Sequence, residues 1–211
     1  MKLTKFGHCC LLIEDKGVKI LTDPGSFSTI PTAVRNLNVI LLTHEHQDHV
    51  HIDILKNILL TSRQAKIITN KAVKKQLETH GIPSGFMEHK ESLLENGVLI
   101  EAYGTDHAAI YPSFAATANV GFMIGKRFFY PGDAFTVPDF PVEILALPVA
   151  GPWMKLSESI DYAREINPKI CIPVHDGILK LSGLVHKIPT MVLEPLGIKI
   201  LPLEDGKTIE L

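Results

Sequence analysis

The residues most able to do chemistry lie together in one short segment. Residues 43–49 read Thr-His-Glu-His-Gln-Asp-His and directly follow the apolar run Val39–Leu42. Imidazole nitrogens and carboxylate oxygens are ligands that suit zinc and its first-row neighbours, and ligands at the exit of a strand can converge on one small volume. The spacing therefore predicts a metal site whose first candidate ligands are His44, His46, Asp48 and His49.

Three further candidate ligands each come after a predicted strand. They are His107, Asp133 and His175. Alone, each is weak evidence, because a single histidine is more often a satisfied polar residue and an aspartate in a Gly-Asp-Ala segment is more often part of a turn. Their joint placement after strands, beside the histidine cluster, makes them candidates for the same site.

These motifs, in this order, resemble the metallo-β-lactamase fold hydrolases over nearly the whole chain: Thr-His-Glu-His-Gln-Asp-His, a later His, a Gly-Asp and a Pro-x-His. The resemblance implies an α/β (α+β) fold, a four-layer αββα sandwich. It also implies two metal ions bridged by one carboxylate. One ion would be held by His44, His46 and His107, the other by Asp48, His49 and His175, with Asp133 between them. Asp48 and Asp133 are then the predicted catalytic carboxylates.

The opening residues 6–14, Phe-Gly-His-Cys-Cys-Leu-Leu-Ile-Glu, and the later Leu-Thr-Asp-Pro at 21–24 narrow the resemblance. They are similar to a compact subfamily that includes the bacterial ascorbate-phosphate lactonase. By that resemblance Asp23 lies behind the metal ligands and accepts a hydrogen bond from a metal-bound histidine. His8, in the Gly-His motif, is expected to approach the site in the same way. The segment from Asp23 also fits a simple turn, which does not exclude the role.

A pair of metal ions implies a mechanism. Two cations a few ångströms apart lower the pKa of a bridging water from about 16 toward about 7, so that a hydroxide nucleophile exists at neutral pH. Zinc is expected, with manganese or iron as alternatives. The predicted function is hydrolysis of a lactone or phosphate ester in a small metabolite. A phosphodiesterase acting on phospholipid or nucleic acid is the second hypothesis, and a metal-dependent binding or sensor protein without turnover is the third.

Strands dominate the predicted elements that position these residues. Runs rich in apolar and β-branched residues predict strands at Cys10–Glu14, Val18–Thr22, Val39–Leu42, Lys66–Thr69, Val98–Tyr103, Val120–Ile124, Arg127–Tyr130, Ile144–Val149, Ile170–Val174 and Lys199–Leu203. Helices are predicted at His51–Leu60, at Lys71–His80 with Asn70 as its N-cap, and at Ser157–Ile166. The last stretch, Gly177–Leu211, reads as strand-like.

Composition sets the remaining expectations. With 211 residues, 45% of them hydrophobic, and a formal net charge of −2, the chain fits one domain over 1–211 and offers a nucleic-acid partner no electrostatic support. No stretch predicts a secretion signal or a membrane span, so a cytoplasmic location is expected. A small molecule is the expected substrate, and an apolar surface patch could support a homo-oligomer. Cys9, Cys10 and Cys171 are interpreted as buried hydrophobes without disulfides.

Four positions stay open at this stage. Trp153 lies between a strand and a helix and is a candidate wall of a substrate pocket, with packing as the alternative. The segment Tyr103–Asn119 is a candidate lid or specificity loop. Asp106 and Asp176 neighbour predicted ligands in sequence, but adjacent side chains usually point apart, so both are expected at the surface.

Overall fold

Two seven-stranded sheets form the centre of the protein, and a computed structural model describes all residues, 1–211. The strands of the first sheet are β1 (Lys2–Phe6), β2 (Cys10–Asp15), β3 (Val18–Thr22), β4 (Val39–Leu41), β5 (Lys66–Thr69), β6 (Gly85–Phe86) and β14 (Thr208–Glu210). They lie in the order β14-β1-β2-β3-β4-β5-β6.

The second sheet is built mainly from the second half of the chain. Its strands are β7 (Ser92–Glu95), β8 (Val98–Tyr103), β9 (Gly121–Ile124), β10 (Phe128–Tyr130), β11 (Ile144–Pro148), β12 (Ile170–Val174) and β13 (Lys199–Ile200). They lie in the order β13-β12-β11-β10-β9-β8-β7.

Helices cover the outer face of each sheet. They are α1 (Ile52–Thr61), α2 (Lys71–Thr79), α3 (Leu156–Ile166), α4 (Gly183–Leu193) and a short 3₁₀ helix (Glu194–Leu196). The predicted N-cap of α2 is confirmed, because the Asn70 side chain accepts a hydrogen bond of 3.0 Å from the Val73 amide. None of the helices has the length and hydropathy needed to cross a membrane.

The alternation of side chains along the strands explains the layers. Val39 and Leu41 of β4 belong to the core between the sheets, where they share a cluster with Phe122 of β9. Ile40 points the other way and packs in a cluster with Leu55 of α1 and with α2. A third cluster joins the outer face of the second sheet to α3 and α4. The predicted four-layer αββα sandwich is therefore confirmed.

Strand direction brings the candidate residues to one edge of each sheet. In the first sheet β3, β4 and β5 are parallel, and β1 runs the same way because β2 is antiparallel to both β1 and β3. In the second sheet β8, β10, β11 and β12 likewise share one direction. Because side chains that follow parallel strands meet at the same edge, the segments after these strands can build a common site.

The strand-like interpretation of Gly177–Leu211 is wrong for its middle part, which forms α4. The β-branched Val185, Ile188 and Val192, together with Pro189, favour other structures by propensity. Tertiary packing outweighs that preference, because Leu193 is completely buried in the cluster that contains α3 and the second sheet. The strand predicted at Lys199–Leu203 is also shorter, Lys199–Ile200.

Candidate metal centre

The turn after β4 brings the imidazoles of His44 and His46 close together. His44 Nε2 and His46 Nδ1 are 3.1 Å apart. Two nitrogens bound to one tetrahedral zinc ion at about 2.0–2.1 Å are separated by about 3.3 Å. His107, from the loop after β8, brings its own donor atom within 4.8 Å of both. These three histidines can therefore hold one ion.

Hydrogen bonds fix the tautomers of two of these imidazoles. The Thr43 hydroxyl donates to Asp23 Oδ2 at 2.6 Å, so its oxygen is an acceptor for the His44 Nδ1–H at 3.0 Å. The His107 Nδ1–H donates to the Ala108 carbonyl at 2.5 Å. In both rings the proton lies on Nδ1, which leaves the Nε2 lone pair free for a metal ion.

A second group of candidate ligands lies beside the first. His49 Nε2 and His175 Nε2 are 3.9 Å and 3.7 Å from Asp48 Oδ2. The His49 Nδ1–H donates to Asp23 Oδ2 at 2.7 Å, so its Nε2 is also a free donor to a metal. This contact is the one that the resemblance implied for Asp23, a buried residue that lies behind the ligands.

The Asp133 carboxylate lies between the two groups. Its Oδ1 is 3.2 Å from His49 Nε2, and its Oδ2 is 3.5 Å from His107 Nε2 and 2.8 Å from His175 Nε2. Gly132 before it has a φ of +66°, and a Cβ there would lie 2.3 Å from Asn119 Oδ1. Glycine is thus required to turn the chain so that this carboxylate enters the site.

Electrostatics keep two imidazoles of the first group, those of His44 and His46, neutral. Burial lowers the pKa of His44 well below its usual value, and His49 adds to this although Asp133 opposes it. Burial and the neighbouring His107 also lower the pKa of His46. Neutral imidazole is the form that binds a metal, so these two residues need to release no proton when they do so.

The carboxylates of the site are ionised. Burial opposes the charge on Asp133, but the imidazoles of His49, His107 and His175 outweigh it and hold the pKa of Asp133 well below its usual value. Burial likewise opposes ionisation of Asp48, and the contact with His8 nevertheless lowers its pKa to about 2. Asp48 and Asp133 thus each carry a negative charge. Burial lowers the pKa of the adjoining His49 and His175, but Asp133 and Cys9 outweigh it and raise both pKa values.

Several buried nitrogens have no hydrogen-bond partner. They include Nε2 of His49 and His107 and both ring nitrogens of His175, and the three Nε2 atoms face Asp133 at 2.8–3.5 Å without forming a hydrogen bond. Leaving a buried polar atom unpaired costs about 1–3 kcal/mol, so a group of them at one point calls for an explanation. Imidazole nitrogens and carboxylates that face one another across less than 4.8 Å fit metal ions as that explanation.

The remaining candidate residues differ in their relation to this cluster. His8 Nε2 is 3.5 Å from Asp48 Oδ2, so His8 lies behind that carboxylate. The Trp153 Nε1–H donates to Asp133 Oδ2 at 2.7 Å, and the indole is only 7% exposed. Trp153 therefore contacts a candidate ligand and is largely covered. Asp106 is exposed, as predicted.

Asp176 is a correction to the prediction of a surface position. Its side chain is 8% exposed, forms an ion pair with Lys5, and accepts a hydrogen bond of 2.7 Å from His186 Nε2 of α4. The side chains of His175 and Asp176 do point apart, but the side of Asp176 is covered by Lys5 of β1 and His186 of α4 and does not face solvent. His175 faces the candidate metal ligands and Asp176 a buried ion pair.

Other contributing residues were not found from the sequence. Thr43 lies next to the histidine motif, and its position before that motif is the one signal that could have singled it out. Tyr130 donates to Asp23 Oδ2 at 2.8 Å, and Asn119 accepts from the Asp133 amide at 3.1 Å. These two residues come from distant strands and loops, so no local pattern marks them.

A cavity of about 210 Å³ opens beside the first group of histidines. It is lined by His46 and His107 and otherwise by the segment 108–117, which is the predicted lid or specificity loop. The rings of Tyr111 and Phe114 lie 5.8 Å apart and are more than half exposed. No lysine, arginine or carboxylate lines this cavity.

The chain is similar in sequence and in fold to known proteins. The family model described as "Beta-lactamase superfamily domain" matches residues 2–175. Protein Rv0786c of Mycobacterium tuberculosis is 35% identical over 184 residues, 85% of this chain and 85% of that protein. A UPF0173 metal-dependent hydrolase of Carboxydothermus hydrogenoformans is 24% identical over 192 residues, 83% of this chain and 84% of its own length. The solved structure of Igni18, a metallo hydrolase from Ignicoccus hospitalis, superposes with a TM-score of 0.78 and 20% identity, covering 100% of this chain and 98% of that one.

Proposed function

Since this chain belongs to the family of the beta-lactamase superfamily domain, we propose that it is a dinuclear zinc enzyme that cleaves an ester bond, in the first place a lactone, in a small metabolite. That it is a metal-dependent hydrolase follows from this family and from relatives that carry that name. Two ions, their identity as zinc and the ester class are the proposed part.

The observation that carries the proposal is the position of Asp133. Its Oδ2 faces His107 of the first group and His175 of the second, and its Oδ1 faces His49 of the second group. A carboxylate in this place can bridge two ions, one held by each group. When bound, such ions supply a hydroxide nucleophile near neutral pH and polarise the carbonyl that it attacks.

The chain's own residues then bind and orient. Asp48, 24% exposed, is the more accessible of the two carboxylates, while Asp133 is almost completely buried. The indole N–H of Trp153 takes one lone pair of Asp133 Oδ2 and so limits how that carboxylate can rotate. Burial of the cluster excludes water, which strengthens every electrostatic contact within it.

The lining of the cavity favours an uncharged ester. A phosphate ester would call for an arginine or lysine beside its oxygens, and none lines the cavity. Alanines, Ile110 and the ring of Phe114 suit an apolar substituent on a lactone or carboxylic ester. The net charge of −2 likewise supports a small metabolite over nucleic acid.

The test uses zinc-loaded protein of measured metal content. It is assayed against lactones and carboxylic esters of increasing alkyl length, and against phosphate monoesters and diesters. We expect lactone turnover that improves with apolar substituents and is lost in Asp133→Ala but kept in Asp106→Asn, a change at an exposed aspartate near the same site. Turnover of diesters alone would favour the phosphodiesterase hypothesis. Full metal content without turnover of any ester would favour a binding or sensor protein.

A further inference from the structure

Cys9 lies beside the candidate metal ligands but is not one of the residues assigned to them so far. Its sulfur and the donor atoms of His8, His49 and His175 all lie within 4.8 Å of one another. All four residues are buried, and Cys9 is 1% exposed. A sulfur and a nitrogen bound to one tetrahedral zinc ion, at about 2.3 Å and 2.1 Å, are about 3.6 Å apart, a separation that lies within this bound of 4.8 Å.

Two of the surrounding imidazoles have ring nitrogens that form no hydrogen bond. His49 donates its Nδ1–H to Asp23, and its Nε2, 3.2 Å from Asp133 Oδ1, forms none. His175 forms no hydrogen bond at either ring nitrogen, although its Nε2 is 2.8 Å from Asp133 Oδ2. Both residues are at most 2% exposed. Two buried, unpaired imidazoles beside a buried sulfur indicate a ligand position and not only a small core residue.

His8 has a different part in the same group. Its Nδ1 accepts a hydrogen bond of 3.0 Å from the Gly177 amide, so the ring proton lies on Nε2. An Nε2–H cannot bind a metal, but it can donate a hydrogen bond to Asp48 Oδ2, 3.5 Å away. Such a donor orients and stabilises an anionic ligand.

The backbone holds Cys9 in this place. Its carbonyl accepts a hydrogen bond from the Thr22 hydroxyl at 3.3 Å and lies 3.1 Å from the Tyr130 hydroxyl. The turn before it is joined to the ligand loop by the His175 amide, which donates to the His8 carbonyl at 3.1 Å. A Cβ on Gly177 would lie 2.9 Å from His8 Cα, so the two loops are packed backbone to backbone. Rigid support of this kind is typical of residues that must meet a ligand accurately.

We propose that Cys9 Sγ is a thiolate ligand of the ion held by His49 and His175, with His8 as a positioning residue that donates to Asp48. The proposal rests on the proposed metal function. On binding, the S–H bond breaks, the metal–sulfur bond forms and the proton leaves to solvent. A thiolate is a soft ligand, so this position prefers zinc to manganese, which favours oxygen ligands.

The first test is the absorption spectrum of the cobalt-loaded protein. Cobalt(II) takes the place of zinc, and a thiolate ligand gives a charge-transfer band in the near ultraviolet that nitrogen and oxygen ligands do not give. We expect this band in the wild type, its loss in Cys9→Ser and its retention in Cys10→Ser. Cys10 is a matched control, because it is equally buried and adjacent but packs on the opposite face, in the cluster with α1 and α2.

X-ray absorption at the zinc edge of the wild type gives a second test that needs no variant, in case Cys9→Ser does not fold. We expect one sulfur neighbour at about 2.3 Å. Zinc competed against manganese should show a preference that falls in Cys9→Ser and not in Cys10→Ser. Bound metal with nitrogen and oxygen neighbours alone would overturn this inference and leave the proposed function standing. Failure to bind any metal would overturn both.

Discussion

Asp23 joins both groups of candidate ligands, so its replacement should disturb the whole site. Its Oδ2 accepts hydrogen bonds from His49 Nδ1 at 2.7 Å, from the Thr43 hydroxyl at 2.6 Å and from the Tyr130 hydroxyl at 2.8 Å. Its Oδ1 accepts from the Thr43 amide at 2.8 Å. Through Thr43 the same carboxylate also orients His44. The change considered is Asp23→Asn, which keeps the size of the side chain.

The hydrogen bonds of Asp23 determine how much stability and zinc affinity Asp23→Asn should lose. An asparagine has one oxygen, so in either orientation of its amide the NH₂ group faces a buried N–H, that of His49 or that of Thr43. Tyr130 can turn to the Cys9 carbonyl, 3.1 Å away, and is not the cause of the loss. One buried donor without an acceptor costs about 1–3 kcal/mol of folding free energy. Loss of the contact that orients His49 should weaken zinc binding by about 10- to 100-fold.

The assay is competition for zinc with a chromophoric chelator, alongside urea unfolding of the metal-free protein. Tyr130→Phe is the matched control. It removes one donor to Asp23 but leaves the carboxylate and its bond to His49, so we expect zinc affinity close to wild type. If Asp23→Asn bound zinc as tightly as wild type, the argument that this carboxylate sets the tautomer and direction of His49 would be refuted.

Three further outcomes are expected. Trp153→Phe removes the N–H that meets Asp133 Oδ2 and keeps an aromatic ring, so kcat/KM should fall by about tenfold; unchanged kinetics would assign the indole to packing alone. Asp176→Asn leaves the buried Lys5 ammonium without its partner, which should cost about 3–5 kcal/mol in urea unfolding. Burial opposes ionisation of Asp176, but His186 and Lys5 lower its pKa. Its contribution to stability is therefore complete above the unfolded pKa of about 3.9 and is lost as pH falls through the lower folded pKa. Below about pH 3.9 the stability of Asp176→Asn should accordingly depend less on pH than that of the wild type. Chelation of the metal should lower Tm, because ions that bind only the folded protein stabilise it by mass action, and an unchanged Tm would contradict a site that couples to folding.

Much of the site was predictable because its chemistry is concentrated in order along the chain. The motif at 44–49 and the later His107, Asp133 and His175 all follow strands, and parallel strands deliver them to one edge. The structure brings all of these candidates together. Strand exits are visible in sequence as the end of an apolar run, which is why the candidates could be named without coordinates.

The parts that escaped prediction depend on contacts between distant segments. Tyr130 is an apolar strand residue by pattern, and only the approach of β10 to the loop after β3 gives its hydroxyl a partner in Asp23. Cys9 fits the pattern of a core residue, and its nearness to His49 and His175 depends on the packing of three loops. In α4 the β-branched residues disfavour a helix, but packing in the cluster with α3 stabilises one.

Backbone strain shows why ligand spacing alone does not build this centre. Asp23 and His175 both lie in the left-handed region, with φ of +37° and +65°, where a side chain costs about 1–2 kcal/mol. This cost must be offset by contacts that hold each residue in place. The Asp23 amide donates a hydrogen bond to the Leu41 carbonyl at 3.0 Å, and its side chain accepts several more. The His175 amide donates a hydrogen bond to the His8 carbonyl at 3.1 Å. One strained residue, His175, is a candidate ligand, and the other, Asp23, holds the candidate ligand His49. The hydrogen bonds of the surrounding loops, and not the sequence motif itself, therefore fix the direction of these two side chains.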